Sequence, residues 1–115
     1  MSSIERSDIR SIIDTLRENV RSKKDDGISK KLIKLIDVPA RRRVSVNLYK
    51  LDKLTKEGDN VIVPGKVLSE GTIGHRLNIA AIEYSRGAAA ALEKAGAKML
   101  DIKESLGSKK VKIIV

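Results

Sequence analysis

The chain has 115 residues and a net charge of +9 at pH 7, without cysteine, phenylalanine or tryptophan. This length favours one domain, and 41% hydrophobic residues exclude wholesale disorder. The lack of cysteine excludes disulfides and a thiolate zinc site, and no apolar run approaches the length of a membrane span. A pI near 9.9 favours an anionic partner, with nucleic acid ahead of a membrane surface.

Apolar residues at helical spacing predict a first helix near the start of the chain. Ser7 stands at its expected N-cap and Asp8 in its first turn, where a carboxylate interacts favourably with the helix dipole. The segment from Asp25 to Gly27 is predicted to end this helix. Its opposite face alternates basic and acidic side chains, which is typical of a solvated surface. The residues predicted to face the core are Ile9, Ile12, Ile13, Leu16 and Val20.

A second helix is predicted between Ser29, as its N-cap, and Pro39, which stops it. Its apolar residues repeat on one side. Three lysines lie on the outer side and face the same way as the arginines that follow, if the intervening turn is tight. The predicted inward residues are Leu32, Ile33, Leu35 and Ile36, and the outward lysines are Lys30, Lys31 and Lys34.

After residue 43 the pattern changes to short strands and short helices. Residues 44–48 alternate apolar and polar side chains, as in a half-buried strand, and leucines at helical spacing follow up to residue 54. Residues 61–63 form a short strand. Pro64 and Gly65 are predicted to form a turn in which the glycine takes a positive φ, before the strand resumes at residues 66–68. A polar loop, residues 69–76, comes next.

Residues 77–84 are apolar on both faces, which predicts a covered strand. Ser85 is placed to cap a helix over residues 87–95, which Gly96 closes. A strand at residues 98–100, one helical turn at 102–106 and a final strand at 111–115 complete the chain. The predicted fold class is therefore α/β, a helical N-terminal part followed by short strands that alternate with short helices. We divide it into a helical segment with the basic run, residues 1–43, and an α/β core, residues 44–115, within one compact domain.

Positive charge is concentrated in residues 28–50, which carry a net charge of +6. Three consecutive arginines, Arg41, Arg42 and Arg43, stand immediately before the first strand. A guanidinium is permanently charged and can donate two parallel hydrogen bonds to phosphate, so this placement favours a polyanion. The alternative is a merely solvated run or a localisation signal.

Patterns for catalysis and nucleotide binding are incomplete. His75 is the only histidine, with no cysteine to pair with and no serine elbow nearby, so we expect it to be a loop residue that touches phosphate or solvent. Pro64-Gly65-Lys66 lacks the spacing and the hydroxyl of a phosphate-binding loop, and Gly71 and Gly74 do not complete a dinucleotide fingerprint. One histidine also leaves a zinc site short of ligands, and we expect no cofactor.

Aromatic residues are too few to read single-stranded bases by stacking. Tyr49 and Tyr84 are both predicted to fill the core instead. No helix-turn-helix pattern with base-reading polar residues is visible. The remaining chemistry is recognition of a folded RNA by its shape, phosphates and 2′-hydroxyl groups, which lysine, arginine, asparagine and serine side chains can bind.

Four segments, taken in order, resemble a known ribosomal protein family. They are Val46-Asn47-Leu48, residues 61–68, residues 77–85 and residues 91–96. Together with the two helices and the arginine run, they make the chain similar to large-subunit ribosomal protein eighteen of archaea and eukaryotes, whose C-terminal domain is shared with bacterial large-subunit protein fifteen. The small size and the Lys, Arg and Ile usage favour the archaeal branch. The loop from Gly71 to Arg76 departs from the family in composition.

The resemblance implies a structural constituent of the large ribosomal subunit in the cytoplasm, with a C-terminal domain of irregular strand–strand–helix layers. It implies binding to large-subunit ribosomal RNA and to neighbouring ribosomal proteins, without catalysis, a small-molecule substrate or a membrane partner. The arginine run and the predicted Gly65-Lys66 turn fall where the family keeps basic residues facing RNA. In this hypothesis the RNA-binding residues are Lys30, Lys31, Lys34, Arg41, Arg42, Arg43 and Lys50, with added contacts from loops by Lys66, Arg76 and Arg86.

Two rival functions stay open at this point. The first is a free-standing RNA-binding module or RNA chaperone outside the ribosome, which would use the same basic residues. The second is a small enzyme acting on a phosphorylated substrate, with His75 and Lys66 as its site.

Overall fold

The computed structural model describes residues 6–22, 27–106 and 110–115. No helix in these ranges is long and apolar enough to span a membrane. The predicted α/β class, with helices first and strands alternating with helices after residue 43, is confirmed. In chain order the elements are α1 (Arg6–Arg21), α2 (Ile28–Ile36), a 3-10 turn (Ala40–Arg42), β1 (Val44–Asn47), α3 (Leu48–Leu54), β2 (Asn60–Leu68), β3 (Asn78–Tyr84), α4 (Arg86–Lys94), β4 (Lys98–Leu100), α5 (Ile102–Ser105) and β5 (Lys112–Ile113).

The strands form one parallel sheet in which β2 is central, in the order β1-β2-β3-β4. Strand β3 pairs with one edge of β2 from Asn60 to Val67. The other edge is shared, because β5 pairs with Val61 and Ile62 while β1 pairs with the segment from Gly65 to Leu68. Strands β1 and β5 therefore lie end to end beside the same strand.

Side-chain alternation along β2 and β3 divides the core into two clusters, one on each face of the sheet. Val61, Val63 and Ile79 face one cluster, which α3 and α4 complete with Leu48, Leu51, Ala88 and Leu92. Ile62 and Ala80 face the other cluster, which the N-terminal helices and α5 complete with Ile12, Ile13, Leu16, Leu32, Ile36 and Ile102. The result is three layers with the sheet in the middle, which explains why β2 and β3 are apolar on both faces.

Helix α1 begins two residues earlier than predicted. It already includes Ser7, so the prediction of Ser7 as the N-cap is wrong. The helix ends at Arg21, and Asp25 and Asp26 lie outside the described residues. Of the predicted inward residues, Val20 is 39% exposed because it lies in the last turn, beyond the part of α1 that covers the core; the others are buried or half-buried, namely Ile9, Ile12, Ile13 and Leu16.

Helix α2 also begins two residues early. Its N-cap is Gly27, at φ 84°, and the Gly27 carbonyl accepts a hydrogen bond from the Lys31 N–H at 3.0 Å. Ser29 is buried in the first turn, so the prediction that it caps the helix is wrong. A left-handed φ costs glycine little, and this lets the chain enter the helix before the serine.

The predicted turn at Pro64 and Gly65 is wrong, because both residues lie inside the continuous strand β2. Gly65 does not have a positive φ. The strand needs glycine for a different reason: a Cβ at this position would lie 1.9 Å from the Val44 carbonyl oxygen of β1. The register against β3 shifts between Val63 and Lys66, so Pro64 occupies an irregularity of the kind that tolerates its missing N–H.

The covered strand and the capped helix of the C-terminal half are confirmed. Strand β3 is buried over most of its length. The Ala88 N–H donates to Ser85 Oγ at 3.1 Å, which is the predicted N-cap, although α4 already begins at Arg86. Gly96, at φ 80°, follows the helix as predicted.

The two tyrosines have different surroundings. Tyr84 is half-buried, its hydroxyl donates to the Ile79 carbonyl at 3.4 Å, and burial raises its pKa well above the usual value. Tyr49 is 56% exposed, so the prediction that it fills the core is wrong. It stands in the first turn of α3, between Leu48 and Leu51 of the same helix, which are fully buried.

Candidate nucleic-acid interface

The arginine run does not form a row along a strand. Pro39 begins a 3-10 turn that contains Arg41 and Arg42, and Arg43 follows it in an extended conformation. Because a 3-10 helix has three residues per turn, successive side chains point about 120° apart. Arg41 and Arg42 therefore leave the backbone in different directions; both are exposed, and Arg43 is half-buried.

Arg43 has a structural partner at the end of α2. Its Nε donates to the carbonyl oxygen of Ile36, the last residue of the helix, at 3.0 Å. The last carbonyls of a helix lack partners within the helix and carry partial negative charge, so a cation stabilises them. Arg43 thus acts as a C-terminal cap of α2 as well as a surface cation.

Arg41, Arg43 and Lys66 are brought together around a groove of about 370 Å³. Gly65 and Ile82 also line it, together with the single acid Glu83 of β3. The Lys66 Nζ lies 3.6 Å from a carboxylate oxygen of Glu83, with both side chains partly exposed. Lys66 is therefore presented by the central strand and not by a turn, and a neighbouring carboxylate offsets part of its charge.

A second groove continues the first towards α1. The two share Ala40, Arg43, Ile82 and Glu83. Arg10 and Arg17 of α1 also line the second groove, together with Asp14 of the same helix and Asp37, and Arg17 lies 3.5 Å from Asp37. Both arginines belong to the face of the first helix that was predicted to be solvated. Their seven-residue spacing, which places them on one stripe of α1, was the signal that they share a surface.

The remaining predicted cations lie on other elements. Lys30, Lys31 and Lys34 are exposed on the outer side of α2, as predicted. Lys50 of α3 donates to the main-chain oxygen of Val115. Arg76 is exposed in the loop before β3, and Arg86 is exposed at the start of α4. None of these six lines either groove as formed by the described residues.

Most of the predicted RNA-binding cations have no carboxylate nearby. Among residues 6–22, 27–106 and 110–115, Lys66 is the only one of the ten within salt-bridge distance of an acid. Outside the predicted set, three basic residues have acidic partners, Arg17 with Asp37, Arg21 with Glu18 and Lys112 with Asp59, whereas others in the described ranges, such as Lys53 and Lys98, have none. The predicted set therefore carries positive charge that the described part of the chain does not neutralise.

His75 is engaged within the fold. Its Nε2 lies 2.7 Å from Thr55 Oγ1, and its Nδ1 lies 3.4 Å from Asp52 Oδ1. The Gly74 N–H donates to the same carboxylate oxygen at 2.9 Å. The histidine side chain is 18% exposed and holds the loop before β3 against α3. Its observed contacts are therefore structural, whereas the sequence predicted contact with phosphate or solvent. No three metal-ligating side chains converge in the part of the chain that the structure describes.

The fold and this surface define a small, basic, three-layer α/β protein with exposed cations, most of which have no acidic partner in the described part of the chain. No family model matches the chain. It is 35% identical over 98 residues to large ribosomal subunit protein eL18 of Sulfurisphaera tokodaii, covering 85% of this chain and 79% of that protein. It is 33% identical over 106 residues to eL18 of Methanothermobacter thermautotrophicus, covering 86% and 88%, and 35% identical to eL18 of Thermoplasma volcanium, covering 85% and 76%. The chain belongs to the eL18 family of large ribosomal subunit proteins.

Proposed function

We propose that this chain is a structural constituent of the large ribosomal subunit in the cytoplasm and binds folded ribosomal RNA through its exposed lysine and arginine side chains. Neighbouring ribosomal proteins would be its other partners, and it would catalyse no reaction. Membership of the eL18 family supports the assignment to the subunit. The observation that supports the RNA contact is that nine of the ten predicted cations have no Asp or Glu within salt-bridge distance among the residues that the structure describes.

The mechanism that we propose is charge neutralisation on a folded scaffold. RNA helices repel one another through their phosphates, and bound cations reduce that repulsion. Arg41 and Arg42 stand on a short turn between α2 and β1, so the backbone limits where their guanidinium groups can reach. Fixing cations in this way positions RNA backbones relative to each other without reading their sequence.

In this proposal, each of the two predicted parts of the chain contributes basic residues of its own to the RNA-binding surface. Residues 1–43 supply the lysines of α2 and the arginine turn, and residues 44–115 supply the α/β core with Lys50, Lys66, Arg76 and Arg86. Arg41 and Arg43 from the first part lie beside Lys66 from the second, in the groove that Glu83 borders. An RNA backbone in this groove would contact both parts.

Sedimentation tests the assignment to the subunit. The tagged chain, expressed in an archaeal host, is expected to sediment with the large subunit through a high-salt sucrose cushion, because a constituent enclosed by RNA and protein neighbours dissociates slowly even though salt weakens each phosphate contact. A free-standing RNA-binding module or chaperone would be released into the supernatant at high salt. Release of the whole population would contradict the proposal.

Single arginine substitutions test the RNA-binding surface. Arg42→Ala is expected to weaken binding to large-subunit ribosomal RNA and to reduce the slope of log K against log salt by about 1, with little change in Tm. Arg21→Ala is the matched control, because Arg21 is also exposed and basic but lies 3.3 Å from Glu18. Its slope should equal that of the unmodified chain. Arg43 is left in place because its loss would uncap α2. Equal slopes for the two variants would show that Arg42 does not contact phosphate.

A further inference from the structure

We propose that Tyr49 is a stacking platform for an unpaired base of the bound RNA, separate from the cations that contact phosphates. This inference rests on the proposed function, because it names a second kind of contact with the same RNA. The first observation is exposure. Tyr49 is one of two aromatic residues in the chain, and 56% of its surface faces solvent, whereas Tyr84 is half-buried against the core.

The backbone that carries Tyr49 is held from two sides. Its N–H donates to the Glu70 carbonyl at 3.1 Å. Gly71, at φ 97°, packs so closely that a Cβ there would lie 2.6 Å from both the Cβ and the main-chain nitrogen of Tyr49. Only glycine fits this position. The loop after β2 therefore packs against the main-chain nitrogen and Cβ of Tyr49 and leaves much of the residue exposed to solvent.

The same loop is fastened further along α3. Asp52 accepts the Gly74 N–H, and Thr55 lies in hydrogen-bond contact with His75. Contacts at Tyr49, Asp52 and Thr55 recur every three residues, so the loop follows one side of the helix. His75, Gly71 and Gly74 therefore share one structural role, which is to hold the helix segment that carries Tyr49. A contact between His75 and RNA would not explain the two glycines.

The charges around Tyr49 suit a nucleotide. Lys53 lies four residues further along α3, on the same face of the helix, and is exposed with no acidic partner among the described residues. A base stacked on the ring would bring its phosphate within reach of this lysine. Two acids are also close by: Glu70 is exposed in the loop, and Asp52 has its carboxylate engaged by the Gly74 N–H and His75.

An aromatic platform of this kind requires little ordering of the side chain, because tyrosine has two rotatable side-chain bonds and its backbone is already fixed. Base–aromatic stacking contributes about 1–3 kcal/mol per base, so loss of the ring should weaken binding at least about fivefold. The effect differs in kind from that of an arginine. Stacking releases no counterions, so its loss shifts the plot of log K against log salt without changing the slope.

Affinity measurements with ribosomal RNA supply the first test. Tyr49→Ala and Tyr49→Leu are each expected to bind about tenfold more weakly than the unmodified chain at every salt concentration, with an unchanged slope. Tyr49→Phe keeps the ring and is expected to bind normally. Unchanged affinity in Tyr49→Leu, with RNA binding by the unmodified chain intact, would overturn this inference and leave the proposed function standing. Failure of the unmodified chain to bind ribosomal RNA would overturn both.

Tyrosine fluorescence supplies the second test, because the chain has no tryptophan. In a Tyr84→Phe background Tyr49 is the only fluorophore. Its emission is expected to be quenched by oligouridylate, whose bases are unpaired, and to change little with inorganic polyphosphate, which has charge but no bases. Equal quenching by both polymers, or no quenching by oligouridylate at saturation, would overturn the stacking contact.

Discussion

At the scale of single residues, the three arginines of the run and Lys66 fall into two groups. Arg43 and Lys66 each have a partner within the fold, the Ile36 carbonyl and the Glu83 carboxylate, so replacing either one changes the protein as well as its surface. Arg41 and Arg42 are exposed, with no acidic partner in the described ranges. A measured loss of RNA affinity can therefore be assigned to charge alone only for the second group.

Gly65 provides the sharpest stability prediction. Gly65→Ala is expected to lower the free energy of unfolding by about 2–3 kcal/mol, because the new Cβ would lie 1.9 Å from the Val44 carbonyl oxygen and would push β1 away from β2. Gly74→Ala is the control: its Cβ would meet only Asp52 Oδ1, at an ordinary 3.6 Å. Urea unfolding measures both. Equal stability of the two variants would contradict the close approach of the strands.

At the scale of helices and strands, local periodicity predicted most element types, because each element contains its own signal. The capped helix α4 and the covered strand β3 are examples, with Ser85 and Gly96 marking the helix ends. The prediction failed where the cause lies elsewhere in the chain. Gly65 looks like a turn residue until Val44 is placed beside it. The error at Tyr49 is different, because the helical spacing of the buried Leu48 and Leu51 already places this residue on the outer side of α3.

The candidate site was predictable in part for the same reason. The concentration of basic residues in 28–50 is a property of the sequence, and the exposed lysines of α2 follow from helical spacing. The grooves could not be predicted, because they join α1, the arginine turn and three strands that are distant in sequence. Arg10 and Arg17 could not be assigned to the same surface as Lys66 without the parallel pairing of β1 and β2.

The junction of β2 and β5 provides a prediction on pH. The Asp59 carboxylate accepts the Lys56 N–H at 2.8 Å and lies 3.0 Å from Lys112 Nζ. The backbone hydrogen bond, followed by the lysine, lowers the pKa of Asp59 below its usual value of 3.8. A lowered pKa in the folded state stabilises the fold above the unfolded value, and this contribution is lost as pH falls through the folded value.

Asp59→Asn is therefore expected to be less stable than the unmodified chain at pH 7. The difference should shrink as pH falls below 3.8, because the Asp59 carboxylate is protonated first in the unfolded state and then in the folded state. Urea unfolding at pH 7 and at pH 2.5 measures the two differences. A difference of the same size at both values would mean that the Asp59 charge does not stabilise this junction.

At the scale of the whole molecule, the N-terminal helices share a core with the sheet. Leu16 of α1 and Ile36 of α2 are fully buried in the same cluster as Ile62 of the central strand. The opposite face of that strand packs against Leu92 of α4 through the other cluster. Because β2 and β3 contribute side chains to both clusters, loosening one face removes support from the other. We therefore expect the chain to unfold as one cooperative unit. The basic residues of both parts of the chain then keep their relative positions as long as the protein is folded.

Matched substitutions on the two faces test this cooperativity. Leu16→Ala and Leu92→Ala each remove a fully buried side chain, at an expected cost of about 2–5 kcal/mol in the free energy of unfolding. In both variants, far-UV circular dichroism of the helices and near-UV circular dichroism of Tyr84 should report one coincident transition at a lowered Tm. If Leu16→Ala instead melted the helical signal while the Tyr84 signal kept its original Tm, the N-terminal helices would be a separate unit. The groove that joins Arg41 to Lys66 would then open independently of the sheet.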